Sequence, residues 1–320
     1  MIYCAFALAP SRLAYCPLST AYSLPMQIAF LGLGAIGRPM AARLAGRHQL
    51  TVWNRTADRA KAFAAEHGVR LATTPKEAAT GAEVVVTCLP TSGDVLSLLD
   101  GPDGLLAGLS RGALFLDCTS GDGTTTRRIA ERLEPVGVDF ADAPVSGGTN
   151  GAEAGTLTVM VGGSAAVFDR AVPVLSAFGK RIVHMGPLGT GDAMKAVNNM
   201  LLGVNILALG EALTALVKAG VAPRVAVETL NASSGRSFVS ESLIPDRVLT
   251  GTWPRTFRLA LLDKDAGICL QMLRELDLPA PLLERAGILL HDAREILGEE
   301  ADYLEPIRLS ERRTGVEIRG

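Results

Sequence analysis

The stretch "QIAFLGLGAIGRPM", Gln27 to Met40, sets a short apolar run directly before glycines at 32, 34 and 37, with helical spacing behind them. Few local patterns restrict a fold as strongly. The run has the length and composition of a buried strand. Gly32 permits a tight turn, Gly34 lets another molecule approach the backbone, and Gly37 lets helix and strand pack closely. A helix opened in this way offers free N–H groups and a positive dipole end, which suit a phosphate. In this strand–turn–helix context GxGxxG is a dinucleotide fingerprint. Gly32, Leu33, Gly34, Ala35, Ile36 and Gly37 are therefore the first candidate cofactor residues.

The theme then repeats. "QLTVWNR", "AEVVVTCLP", "GALFLDCTS", "VDFADAPVSGG", "TLTVMVGG" and "RIVHMG" are apolar runs. Between them lie segments such as "TADRAKAFAAEHG", a helix capped by Thr56 and stopped at Gly68. Continuous apolar strands are expected where both sheet faces are covered. The alternation predicts an α/β unit over residues 26–189, a doubly wound parallel sheet of the Rossmann type. After "GPLGTG" (186–191) the strand signal stops. Helices are predicted over 192–219, 223–232, 238–249, 258–277 and 281–298, an all-helical domain spanning 190–306. The first of them is apolar nearly all round, which predicts burial on every side. The charged residues 307–320 read as a solvated tail. Residues 1–25 carry one charge, Arg12, and precede a second methionine, Met26. They read as an unfolded upstream extension rather than a secretory signal or transit peptide.

Composition excludes several classes. At 320 residues the chain has room for about two domains. A net charge of -2 with no dense Lys/Arg stripe argues against nucleic acid as partner. No uninterrupted apolar run approaches the ~20 residues of a membrane span. Cys4, Cys16, Cys88, Cys118 and Cys269 form no CxxC pair and read as free thiols, which predicts a cytoplasmic location. His48, His67, His184 and His291 form no HxH or HExxH pair, so metal-independent chemistry is expected.

Three further motifs bear on chemistry. Asn54, Arg55 and Thr56 stand about 20 residues past the first glycine, where the ribose is read. No acid is offered there for a 2′-hydroxyl. A guanidinium with neutral polar neighbours suits a 2′-phosphate, which favours NADP over NAD. The alternative is that Arg55 is a plain surface residue and both cofactors are accepted. Ser146, Gly147 and Gly148 of "DAPVSGG" could present a hydroxyl and successive N–H groups to a carboxylate, or could be only a turn. In "GTGDAMKAVNN", Lys195 and Asn199 lie four apart on one helix face. A lysine there could exchange a proton with a reacting carbonyl, or could snorkel to the surface.

In this order the four motifs resemble the β-hydroxyacid dehydrogenase family. Its members include 3-hydroxyisobutyrate dehydrogenase, tartronate semialdehyde reductase and glyoxylate/succinic semialdehyde reductase. The likeness runs from about Met26 to Leu297. It implies a nicotinamide-dependent enzyme of small hydroxyacids or semialdehydes, binding its dinucleotide on the N-terminal domain; separately, the apolar second domain predicts a homodimer or homotetramer that buries surface against a partner copy. The family's catalytic lysine and the asparagine one turn later match Lys195 and Asn199. Its carboxylate-binding Ser-Gly-Gly matches Ser146, Gly147 and Gly148. Its Leu-Pro beside the cofactor matches Leu89 and Pro90. Its "DSST" loop becomes "DCTS", giving Thr119 beside the substrate and Ser120 beside the cofactor. A second, cofactor-side lysine matches Lys264, followed by Asp265; "SSGR", Ser233 to Arg236, also recurs. The chain departs from the pattern at Asp94, where an asparagine is common, at Phe238, in the region of a common tryptophan, and at Gly121 and Gly123. Imine reductases share the architecture but typically lack the lysine. A cofactor-binding protein without catalysis is the reading from a different class.

Overall fold

The computed structural model describes residues 25–320, so the expectations for the N-terminal extension lie outside the described residues. The chain divides into two compact units, the second being Ala193–Gly320. In the first unit the strands are β1 (Gln27–Leu31), β2 (Gln49–Trp53), β3 (Arg70–Leu71), β4 (Val84–Thr87), β5 (Leu114–Asp117), β6 (Asp139–Asp142), β7 (Val145–Ser146), β8 (Leu157–Gly162) and β9 (Gly179–Gly186). Its helices are α1 (Gly37–Ala45), α2 (Ala57–His67), α3 (Pro75–Ala79), α4 (Ser92–Ser97), α5 (Gly123–Leu133), α6 (Gly148–Ala154) and α7 (Ala165–Leu175).

The sheet order is β3-β2-β1-β4-β5-β6-β8-β7, with β9 on β8. Strands β1 to β6 are parallel and follow the doubly wound order. The sequence pattern predicts a sheet parallel throughout; the observed sheet is mixed. β8 pairs antiparallel with β6 and β7, while β9 returns parallel to β8. The chain reverses between β7 and β8, and the alternation of strands and helices does not encode the direction of such a late addition.

Period-two burial explains the two layers. Ile28, Phe30, Val84, Val86, Leu114 and Leu116 face Met40 and Leu44 of α1, Phe63 of α2 and Phe168 of α7. The intervening Ala29, Leu31, Val85 and Phe115 face Ala79 of α3, Val95 of α4 and Ile129 of α5. The core strands therefore read as continuous apolar runs.

The helix α8 (Thr190–Lys218) begins at the end of the first unit, and its residues from Ala193 belong to the second. There it is followed by α9 (Pro223–Asn231), a π-helix (Val239–Val248), α10 (Leu259–Glu275), α11 (Pro281–Leu297) and α12 (Pro306–Thr314). Met200, Ile206 and Leu213 of α8 share one core with Leu262 and Cys269 of α10, Leu290 of α11 and Leu304. The wide turn of the π-helix contains Pro245, which has no N–H to donate and would crowd an ordinary helical turn.

Two expectations fail in this unit. α8 is not buried on every side: only 39% of its apolar window is covered, and Leu201 is 49% exposed. It is also long and apolar enough to cross a membrane by length and composition alone, a property the count of uninterrupted runs misses. Residues 307–320 are not a solvated tail. Ile307, Leu309 and Ile318 are buried, and the Ile318 N–H donates to Glu311 Oε1 at 2.8 Å. Arg319 pairs with Glu311 at 2.7 Å, and the Gly320 N–H reaches the Leu249 carbonyl. The charges of "SERR" conceal the apolar face beneath them. A buried ion pair of Arg247 and Asp302 at 2.8 Å secures the approach to α12. Asp302 also accepts from the N–H groups of Thr256, Phe257 and Leu304.

Candidate active site

The glycine turn lies between β1 and α1. A Cβ at Gly32 would stand 2.2 Å from the Cys88 carbonyl oxygen, and one at Gly37 only 2.0 Å from the Gly32 carbonyl oxygen. Both contacts are impossible for any side chain. A Cβ at Gly34 would meet nothing within 4 Å. Two glycines are thus demanded by the protein's own packing, while the middle one leaves an open cradle. Gly34 and Ala35 reach the surface, Ile36 is half-buried and Leu33 is buried. Leu33 contributes through its N–H, which donates to Asn54 Oδ1 at 2.9 Å. The Asn54 amide in turn donates to the Thr56 carbonyl. Asn54 therefore ties the loop after β2 to the glycine turn, and Arg55 is left 82% exposed.

Helix N-termini sort in the same sense. Side-chain oxygens of Thr74, Thr91, Asp122 and Ser164 cap α3, α4, α5 and α7. Among the described residues of this unit no side chain caps α1, α2 or α6, although Thr56 has the expected N-cap position on α2; α9, α10, α11 and α12 of the second unit are uncapped as well. The first three are the helices behind the glycine turn, behind Arg55 and behind Ser146. Their free N–H groups and dipole ends remain available to anions. Gly147 (φ 136°) and Gly148 (φ 66°) hold backbone conformations closed to ordinary side chains. Ser146 ends the short strand β7, half-buried, and Gly147 and Gly148 are exposed.

The loops after β4 and β5 are joined by Thr119. Its Oγ1 accepts the Leu89 N–H at 3.0 Å, and its own N–H donates to Asp117 Oδ1. At 1% exposure Thr119 lies beneath the surface. It positions Leu89, while Pro90 and Ser120 flank the same junction nearer the surface.

Sequence reasoning missed the carboxylates behind these loops. Asp142 accepts the N–H groups of Gly189 at 2.7 Å and Asp192 at 2.9 Å, holding the first turn of α8. Asp192 accepts from Thr126 Oγ1 at 2.6 Å and from the Gly121 N–H at 3.2 Å. Asp117 also accepts from Thr87 Oγ1 at 2.8 Å. Burial pushes all three carboxyls upward, Asp117 to about 6, against the pull of these donors. An acid closing an apolar strand, as in "LFLD" and "DFAD", was the available signal.

In the second unit Lys195 and Asn199 are both buried. Asn199 Nδ2 donates to Asp265 Oδ2 at 2.5 Å, and its Oδ1 accepts from Asn198. Asp265 Oδ1 lies 2.9 Å from Lys264 Nζ. Burial lowers the proton affinity of Lys195; the Asp265 carboxylate partly restores it, and the Lys264 charge lowers it further. The helix face carrying Lys195 and Asn199 is thus braced by the Lys264–Asp265 pair of α10.

Fold and turn define an oxidoreductase of the nicotinamide-binding class. Residues 27–186 match the family model described as the NAD binding domain of 6-phosphogluconate dehydrogenase. Residues 189–310 match that described as NAD-binding of NADP-dependent 3-hydroxyisobutyrate dehydrogenase. The 2-(hydroxymethyl)glutarate dehydrogenase of Eubacterium barkeri is 38% identical, over 92% of this chain and 98% of its own. The 3-hydroxyisobutyrate dehydrogenase of Pseudomonas aeruginosa is also 38% identical, over 86% of this chain and 95% of its own. A solved structure of Mycobacterium tuberculosis 3-hydroxyisobutyrate dehydrogenase with L-serine superposes with a TM-score of 0.82 at 32% identity, covering 89% of this chain and 99% of the other. The chain belongs to the β-hydroxyacid dehydrogenase family, NAD(P)-dependent oxidoreductases that act on CH–OH groups.

The turn makes a direct prediction. Gly34→Ala should fold with an unchanged melting temperature, because its methyl meets open space, yet weaken NADP and NAD binding alike. Gly37→Ala should lower the melting temperature, since its methyl strikes the Gly32 carbonyl. Thermal unfolding with cofactor titration checks both.

Proposed function

We propose that this chain is a NADP-preferring dehydrogenase or reductase of a small β-hydroxyacid or semialdehyde, 3-hydroxyisobutyrate-like or tartronate-semialdehyde-like, working without a metal in the cytoplasm. The observation that carries the reading is the buried Lys195, one turn from Asn199 and supported by Asp265. An ammonium kept from water with a lowered proton affinity suits reversible proton exchange. The relatives named for 2-(hydroxymethyl)glutarate and 3-hydroxyisobutyrate support the substrate class, since both names describe a hydroxymethyl group on the carbon that bears a carboxylate.

When bound, the nicotinamide supplies or takes up a hydride. Lys195 gives a proton to the developing alkoxide in reduction and accepts the hydroxyl proton in oxidation, for which it must be neutral. Asn199, its rotamer held by Asp265 and Asn198, orients the reacting oxygen. Ser146, Gly147 and Gly148 receive the substrate carboxylate. The glycine turn from Gly32 to Gly37 holds the pyrophosphate, and Arg55 with Thr56 faces the 2′-phosphate. Leu89, Pro90, Ser120 and Lys264 complete the cofactor contacts. The cofactor fits because Gly34 leaves an open cradle and α1 an uncapped N-terminus. NAD in place of NADP is the variant reading, favoured if the Arg55 guanidinium is not free to act.

A homodimer or homotetramer accounts for the surface of the second unit. Met194, Leu201, Phe238, Leu282, Ile288 and Ile296 are all exposed there. Exposed apolar side chains in such number on one unit are what a contact between copies covers. Sedimentation velocity should show a dimer or larger species, and Leu201→Glu should shift it toward monomer. A parent chain sedimenting as a monomer would remove this part of the reading.

Lys195→Ala should leave NADPH affinity near normal and reduce turnover on a hydroxyacid and semialdehyde panel by about 10²-fold or more. Unchanged turnover would refute the role of Lys195; NADPH binding with no turnover by the parent on any substrate would favour a non-catalytic protein. The Asp265 carboxylate raises the proton affinity of Lys195. Asp265→Asn should therefore move the rising limb of the oxidation pH–rate profile to lower pH, because neutral Lys195 is reached sooner. A limb that stays in place, or moves upward, would contradict that coupling.

A further inference from the structure

Asp94 has a double engagement that cofactor binding must confront. It sits in the first turn of α4, where Thr91 Oγ1 accepts the Asp94 N–H at 3.0 Å and Asp94 Oδ2 accepts the Thr91 N–H at 3.1 Å. That reciprocal pair occupies one carboxylate oxygen. The other, Oδ1, lies 3.4 Å from Arg55 Nη1. Arg55 follows β2, and Asp94 follows β4. These two strands flank β1 on opposite sides, and β1 is the strand that feeds the glycine turn. Both loops already touch the glycine turn, since Asn54 holds the Leu33 N–H and the Cys88 backbone carbonyl abuts Gly32.

We propose that Arg55 and Asp94 form a latch between the two walls of the dinucleotide groove, and that Asp94 competes with the cofactor's 2′-phosphate for the Arg55 guanidinium. This rests on the reading of Arg55 as the 2′-phosphate ligand. Asp94 acts through Arg55 as a specificity-determining residue. The capping contacts fix its carboxylate in place, so it cannot move aside when a 2′-phosphate arrives. The Arg55 side chain is 82% exposed and long, so it is the partner that swings. An exposed ion pair of this length is weak, so a dianionic phosphate can displace it. The displaced carboxylate then remains close to the phosphate, and part of the NADP preference that Arg55 confers is cancelled. A 2′-hydroxyl makes no such demand on Arg55, so NAD is little affected. Asp94 thereby keeps the enzyme nearer to dual cofactor use than Arg55 alone would.

The test is a set of dissociation constants for NADP+ and NAD+, titrated into the full-length parent, Asp94→Asn, Arg55→Ala and the double variant. Asparagine keeps the oxygen that accepts the Thr91 N–H, and melting temperatures check that the helix cap survives. Asp94→Ser is the second variant should Asn disturb it. Neutralising Asp94 should raise the NADP-to-NAD affinity ratio about threefold or more at low salt, less at high salt. Arg55→Ala should collapse the ratio, and Asp94→Asn should then add less than it does in the parent, the remainder being direct repulsion between carboxylate and phosphate. A ratio that responds to Arg55→Ala but not to either Asp94 variant overturns the latch alone. A gain kept in full without Arg55 also overturns it. A ratio indifferent to Arg55→Ala overturns the 2′-phosphate reading and the latch together.

Discussion

Asp142 holds the first turn of α8, and much of the local structure depends on that contact. The carboxylate closes β6 and accepts the N–H groups of Gly189 and Asp192. A buried carboxylate is costly in isolation, and here burial pushes its proton affinity upward. Backbone donors and the dipole of a long helix offset that cost. Asp192 repeats the device in the first turn of the helix, gripping Gly121 and Thr126. The close fit leaves no room for a side chain at Gly191, whose Cβ would lie 2.3 Å from the Met160 carbonyl oxygen. The start of α8 is therefore set by polar contacts rather than by helix propensity, and Lys195 follows three residues along the same helix.

The second unit solves a different electrostatic problem. Lys195, Asn199, Asp265 and Lys264 bring two ammonium groups, one carboxylate and an amide together among apolar neighbours. Asp265 serves three of its neighbours at once, through a hydrogen bond to Asn199, an ion pair to Lys264 and a longer-range charge effect on Lys195. A lone cation there would be lowered far in proton affinity; the shared carboxylate tempers the shift without cancelling it.

Much of the architecture was legible because burial has a period. Strands covered on both faces leave unbroken apolar runs, and "AEVVVTCLP" and "GALFLDCTS" showed them. Turns that require glycine leave glycines, as at Gly32 and Gly68. What stayed hidden has no period. The antiparallel arrival of β8 is a matter of chain direction, which residue type does not encode. The exposed face of α8 is apolar like its buried faces, so composition alone could not separate them. The C-terminal helix was concealed because "SERR" is charged, although Ile307, Leu309 and Ile318 beneath it are buried.

The site divides in the same way. By itself the sequence determined the glycine turn, the absence of an acid at Asn54–Thr56, and the spacing of Lys195 and Asn199, because each is a requirement on neighbouring residues along one chain. Only the tertiary structure decided that Asp265 braces Asn199 from another helix, that Thr119 is turned inward to hold Leu89, and that Arg55 meets Asp94. Those are contacts between residues 30 to 66 positions apart. Their energies depend on distance and burial, and neither exists until the chain has folded.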